Sequence, residues 1–171
     1  MAILSRGIII AGLLLAASTY AASGPESHLE YQVKAAFLYN FLKFVEWPEQ
    51  AGDGPLVICV QGRDAFGGYL EEAVHGKKVN GRDVVVRHVA RLSDARDCHI
   101  LFVPNGEFRR SAIGAQPGML TVGESAGFLE AGGVINFYLE NDRVRFEIRP
   151  ESARQAGLRV SAQLLKLGST R

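Results

Sequence analysis

Leu56-Val57-Ile58-Cys59-Val60 runs as an unbroken apolar stretch. A strand with one face in water alternates apolar and polar residues, whereas an unbroken run suits a strand buried on both faces. Burial of that kind needs cover above and below, and the flanking sequence supplies it. Upstream, Glu30 to Trp47 carries Val33, Phe37, Phe41 and Phe44 at three- and four-residue steps, with Ala36, Leu38 and Tyr39 alongside, which predicts an amphipathic helix. Gln32, Lys34, Asn40, Lys43 and Glu46 read as its polar side. Pro48 ends it, because the residue before a proline is pushed out of helical geometry.

Downstream the pattern alternates. Phe66–Val74 reads as a short helix, and Asn80-Gly81 as the turn of a hairpin between Lys77–Val79 and Asp83–Val89. Leu92–Arg96 fits one helical turn, Ile100–Val103 a second buried strand, Glu107–Ala115 a helix and Met119–Val122 a further strand. Val134–Leu139 and Val144–Ile148 flank Asn141-Asp142 as a second hairpin, with Val144, Phe146 and Ile148 on one face and Arg143, Arg145 and Glu147 on the other. Pro150 opens a short helix at its favoured first position, Gly157 ends it, and Val160–Leu167 forms the last helix. The expectation is a single α/β domain over residues 28–168, a mixed β-sheet with helices on both faces.

The 171 residues are 47% apolar and 22% charged, values suited to a packed domain, and the formal charge of +1 leaves no electrostatic footprint for nucleic acid. At the N-terminus, Arg6 precedes the apolar run Gly7–Ala17 and then small residues through Ser23, the order of a secretory signal peptide. The run is shorter than the ~20 residues of a membrane-spanning helix. Thr19-Tyr20-Ala21 is the preferred cleavage tripeptide, so residues 1–21 are read as a leader and the processed protein is placed in the periplasm. In that oxidising compartment an even pair of cysteines, Cys59 and Cys98, suggests one disulfide; two separate buried thiols are the alternative. Cys98 and His99 are adjacent rather than spaced, and no CxxC or HxxxH occurs, so neither metal nor cofactor is expected.

Gly123-Glu124-Ser125-Ala126-Gly127 matches the GxSxG pattern of a hydrolase nucleophile elbow. His28, His75, His88 and His99 all precede Ser125, whereas that fold places its histidine after the serine, so a glycine-rich turn is the preferred reading. Gly62 to Gly68 lacks the spacing of a nucleotide loop, and Asp64 within it reads as a helix cap. No catalytic residue is assigned. Trp47, the only tryptophan, closes the long helix, and tryptophan is enriched at binding hot spots as well as in cores. Trp47 with Phe44 and Glu46 is the candidate partner-binding surface.

Glu30-Tyr-Gln-Val-Lys-Ala-Ala-Phe-Leu-Tyr-Asn-Phe-Leu-Lys-Phe-Val-Glu-Trp-Pro48 resembles the opening signature of the YfiR family. The resemblance continues through Ile58-Cys-Val60, Phe66-Gly67, Lys78-Val-Asn-Gly-Arg82, Cys98-His-Ile-Leu-Phe102 and Leu120-Thr-Val-Gly123. It runs on through Gly127-Phe128, Gly132-Gly-Val-Ile-Asn-Phe137, Val144-Arg-Phe-Glu-Ile148, Ala156-Gly-Leu158 and Gln163-Leu-Leu165. It implies a periplasmic repressor, not an enzyme, that holds an inner-membrane diguanylate cyclase inactive through that enzyme's periplasmic region. An outer-membrane lipoprotein would remove it in turn. It also implies that Cys59 and Cys98 occupy the family's redox-active pair; a second, shorter-range disulfide of the family has no counterpart here. Other membrane sensors are alternative partners, and a periplasmic small-ligand sensor working with a histidine kinase is the alternative function. A homodimer is allowed, but no spacing demonstrates it.

Overall fold

The computed structural model describes residues 25–48, 53–108 and 113–170. The expected leader, residues 1–21, lies outside them. Helix α1 spans Pro25–Phe44 and passes directly into β1, Val45–Glu46; β2 (Leu56–Gln61), α2 (Tyr69–Val74), β3 (Lys78–Val79) and β4 (Arg82–Val89) follow. After a 3-10 turn at Leu92–Asp94 come β5 (Ile100–Val103), β6 (Leu120–Gly123), β7 (Ile135–Glu140) and β8 (Arg143–Ile148). The chain closes with α3 (Pro150–Gln155), β9 (Arg159–Val160), α4 (Ala162–Leu167) and β10 (Ser169–Thr170).

Eight of the strands form one mixed sheet in the order β10-β8-β7-β6-β5-β2-β4-β3. The apolar run Leu56–Val60 lies inside β2, between β4 and β5 and parallel to both. β5, β6 and β7 continue in parallel, and the two hairpins supply the antiparallel pairs β3–β4 and β7–β8. From β2 the chain goes first to β4 on one side and then to β5 on the other. The gap between β2 and β5 is therefore the point where a doubly wound sheet reverses, the usual place for a ligand crevice beyond the strands' carboxyl ends. The fold is a single mixed α/β domain.

Alternation along the strands divides the core in two. Ile58, Val60, Ile100, Phe102, Leu120, Val122, Ile135 and Phe137 face the cluster shared with all four described α-helices. Cys59, Leu101 and Val103 face a second cluster with Val89, Ala95, Ile113, Met119, Phe128 and Leu129, drawn from β4, the 3-10 turn region and the loops. Among the described residues the α-helices therefore cover one face of the sheet, not both as expected, and the other is covered by short turns and loops. On the helical face the ring of Phe41 sits 5.9 Å from Phe137 and 5.2 Å from Phe146.

Several boundaries differ from the sequence expectation for identifiable reasons. The helix read as ending at Trp47 ends at Phe44, because Val45 and Glu46 pair with Val160 and Arg159 in a small antiparallel ladder. That ladder also delays the last helix to Ala162, where Ser161 Oγ accepts from the Leu164 N–H at 3.2 Å as its N-cap. The buried side of α1 is Lys34, Ala35, Leu38, Phe41 and Leu42; of the expected stripe Val33, Phe37, Phe41 and Phe44, only Phe41 lies on it, and the other three are half-buried. Apolar residues surround most of this helix, so periodicity alone does not single out the face laid on the sheet. Asp64 accepts from the Phe66 and Gly68 amides at 2.8 and 3.2 Å, holding the turn before α2 and not capping the helix itself. Of the helix expected at Glu107–Ala115, residues 109–112 lie outside the described residues, while Glu107 closes a turn onto Pro104.

Candidate functional site

Helix α1 crosses the sheet so that its two ends meet opposite ends of the parallel strands. Its first turns lie at the carboxyl end, beside the switch point. There Lys34, 4% exposed, is ion-paired with both Glu30 and Glu124. Glu124 follows β6, and its Oε1 also accepts from the Tyr31 hydroxyl at 2.9 Å and the Asn105 amide at 2.8 Å. Burial, followed by the adjacent Glu124 carboxylate, pushes the Tyr31 hydroxyl above its usual range. The Tyr31 ring packs edge-on against Phe66, 5.3 Å between centroids, over the end of β2. At the position that a doubly wound sheet commonly leaves for a ligand, this chain's own helix closes down over the strands and leaves a cleft of about 260 Å³ between His28 and Tyr31 and the loop of residues 64–69.

The glycine pattern around Ser125 has a packing explanation. A Cβ at Gly123 would fall 2.4 Å from the Phe128 ring, and Gly127 adopts a φ of +80° that side chains disfavour. Ser125 is buried and donates to Asn105 Oδ1 at 3.3 Å. The residue this loop delivers to a charged cluster is Glu124.

At the amino end of the strands, Trp47 follows β1. Its indole Nε1–H donates to the His99 carbonyl at 3.1 Å, and its ring meets the His99 imidazole edge to face at 5.7 Å. His99, 6% exposed, lies between two donors: the Val57 amide is 3.2 Å from Nδ1, and Arg82 Nη2 is 3.1 Å from Nε2. A neutral imidazole offers one acceptor nitrogen, and both neighbours oppose a second ring proton. Burial first, then the Arg82 charge, lowers the His99 pKa from 6.5 to about 4. Arg82 is itself anchored on the Gly54 carbonyl.

Two clefts flank Trp47. One, of about 490 Å³, has Leu42, Val45, Leu56 and Val79 as its apolar lining, with Glu46, Asp53, Asn80 and Arg82 as polar groups. The other, of about 440 Å³, lies between Glu46, Trp47 and Pro48 on one side and Gly157 and Arg159 on the other. Of the residues singled out in the sequence, Trp47 and Glu46 line both clefts, Glu46 with its side chain 75% exposed beside Arg159. Phe44 lines neither and packs against the core. Cys59 and Cys98 are joined in a disulfide on the other face of the sheet, immediately before His99. The Arg87 guanidinium lies 3.3 Å from the Cys98 sulfur.

Sequence reasoning did not single out Arg82, Lys34, Tyr31 or Glu124. For Lys34 a signal existed: it stands four residues before Leu38 and seven before Phe41, on one helical face. Arg82 and His99 meet only through the pairing of β2 with both neighbours.

A family model described as YfiR/HmsC-like matches residues 31–169, from Tyr31 of the carboxyl-end cluster to the last strand. The chain belongs to the YfiR/HmsC-like family. This YfiR/HmsC-like chain has no match among curated proteins. Among solved structures it is similar to a conserved domain protein from Vibrio cholerae O1 biovar El Tor, at 12% identity and a TM-score of 0.52. That likeness covers 82% of this chain and spans 60% of the other, and it concerns the fold alone. Among the described residues no helix is long and apolar enough to cross a membrane, and no group of acidic, histidine and cysteine side chains is arranged to hold a metal ion.

Proposed function

We propose that this protein is exported, loses residues 1–21 and acts in the periplasm as a regulator in cyclic-di-GMP signalling, binding a membrane diguanylate cyclase and holding it inactive. The observation that carries this reading is the family match over residues 31–169, which spans nearly all of the described domain. The geometry supports docking at the amino end of the strands. Trp47 stands between two open clefts with Glu46 exposed beside it, an amphipathic anchor of the kind that dominates protein interfaces. Cys98 adjoins His99, whose carbonyl holds the indole. Reducing the disulfide would therefore loosen the docking surface and weaken repression.

The test is reconstitution. The processed chain is titrated into liposomes carrying a full-length membrane diguanylate cyclase encoded beside it. Saturable loss of cyclic-di-GMP synthesis is expected, relieved by Trp47→Ala. Absence of both binding and inhibition across the host's membrane cyclases removes the reading. A second reading, a small-ligand sensor partnering a histidine kinase, is favoured by the cleft of about 490 Å³, within the size range of small-molecule sites and polar on one side. Saturable thermal stabilisation by a metabolite, lost in Arg82→Ala, would select it.

A further inference from the structure

The β7–β8 hairpin turns through Asn141 and Asp142, both at positive φ (50° and 59°), so Glu140 and Arg143 form the hydrogen-bonded closing pair of a two-residue loop. Hydrogen-bonded and non-hydrogen-bonded pairs alternate from there. Arg143, Arg145 and Glu147 therefore turn their main-chain groups in towards β7, while Val144, Phe146 and Ile148 turn theirs out to the edge of the sheet. The Arg149 amide on the Val134 carbonyl, 2.9 Å, continues the same phase. β10 pairs only with Glu147 and Ile148. Among the described residues no strand lies beside Arg143–Val144–Arg145, and the Val144 N–H and C=O point outward.

The side chains at this open edge are sorted by face. On one face, α1 leaves a groove of about 690 Å³ between Leu29, Val33 and Phe37 on the helix and Leu139 and Val144 on the hairpin, with Glu30, Asp142 and Arg143 as its polar lining. Leu29 is 64% and Leu139 55% exposed. Strand alternation sets Arg143 and Arg145, both exposed, towards the other face, with Arg143 at the hairpin tip also bordering the groove. Arg145 reaches Glu140 at 3.6 Å, and Arg143 makes no ion pair among the described residues.

We propose that this edge receives an extended segment of a partner protein, added as a strand beside β8, with side chains alternately apolar towards the α1 groove and acidic towards Arg143 and Arg145. Strand addition gives the outward main-chain groups their partners, and the period of two along the added segment sends alternate side chains to the groove and to the arginines. A second copy of β8 does not fit. Antiparallel self-pairing centred on Val144 sets Arg143 against Arg145 twice, and like charges directly opposite destabilise a pair. Centring on Arg145 opposes that residue to itself and requires position 147, which β10 already occupies. The arginines thus discourage self-association at an edge that would otherwise invite it.

The test uses the processed chain and a fluorescein-labelled peptide of alternating glutamate and valine, read by anisotropy; cyclase inhibition can stand or fail without altering this readout. Saturable binding is expected, weakened at least about tenfold when every second amide of the peptide is N-methylated, which blocks strand addition. Val144→Pro removes an outward N–H and no ladder bond, and should weaken binding to a similar degree with the thermal midpoint as a check on folding. Arg143→Glu, at an exposed site, should weaken it about fivefold or more and shift preference to a lysine–valine peptide. Equal binding of the N-methylated peptide, indifference to both substitutions, or no binding at millimolar peptide overturns the proposal. A dimer of the chain alone that Val144→Pro dissolves would place a second copy at this edge and overturn it as well.

Discussion

At the carboxyl end of the parallel strands, Lys34 is enclosed by Glu30, Glu124 and the Tyr31 ring and is 4% exposed. At the amino end, Trp47 is half-buried, held by one hydrogen bond and open to clefts on both sides. One helix, α1, brings a residue to each end. The contrast separates two jobs. A buried ammonium held between two carboxylates is poor at recognising an outside group, because its own charge is already engaged and it is shielded from water. An indole with one edge anchored and its surroundings open can meet a partner at little cost in reorganisation. The fold places a closed ionic cluster at one end of α1 and an open aromatic anchor at the other.

The largest effect that would test this division belongs to Lys34. Lys34→Met leaves Glu124 buried without its counter-charge and should cost about 3–5 kcal/mol in urea denaturation. Adding Glu124→Gln keeps the acceptor for Tyr31 and Asn105 while removing the charge, so the double variant should recover most of that loss. If Lys34→Met is instead as stable as the parent, the carboxyl end is not the structural end. The disulfide comes next. Its cysteines are separated by 39 positions, and replacing both with serine should cost about 4 kcal/mol in the chain-entropy model.

Acid should then act mainly through His99. The unfolded imidazole takes up a proton below about pH 6.5, whereas the folded one resists down to about pH 4. Between those values the unfolded chain binds more protons, so stability is complete above pH 6.5 and falls as the pH drops towards 4. The full loss is on the order of 3 kcal/mol, and His99→Gln should flatten that part of the profile. A slope that persists in His99→Gln would assign the acid sensitivity elsewhere. The smallest change in stability is expected for Trp47→Phe, about 1 kcal/mol, because the His99 carbonyl still accepts from the Leu120 amide at 2.8 Å. Trp47→Ala should nevertheless abolish inhibition of the partner. Unaltered inhibition by that variant would move the docking surface away from the amino end and break the comparison.

Much of the fold was legible because its signals are local. Asn80-Gly81 and Asn141-Asp142 adopt the positive φ their residue types tolerate, and each closes a hairpin where expected. Pro150 begins α3 and Gly157 follows its end, as backbone sterics require. The polar clusters were less legible. Lys34 looks like any surface lysine until β6 delivers Glu124, a residue 90 positions away, to its ammonium. His99 looks like a strand residue among core neighbours until β4 brings Arg82 to its ring. The GxSxG pattern misleads for the same reason: Gly123 answers to Phe128 packing and Gly127 to a positive φ, neither of which the motif encodes.

By itself the sequence determined the alternation of strands and helices, both hairpins and the membership of the chain in its family, because turn chemistry, hydrophobic period and motif order are properties of neighbours along the chain. Tertiary structure alone decided which face of α1 is buried, where that helix stops and which end of the sheet holds the buried ammonium. Those outcomes depend on pairing between segments far apart in sequence: β1 with β9, Lys34 with Glu124, and Trp47 with the His99 carbonyl. Desolvation makes each such contact strong only once the whole sheet has assembled around it.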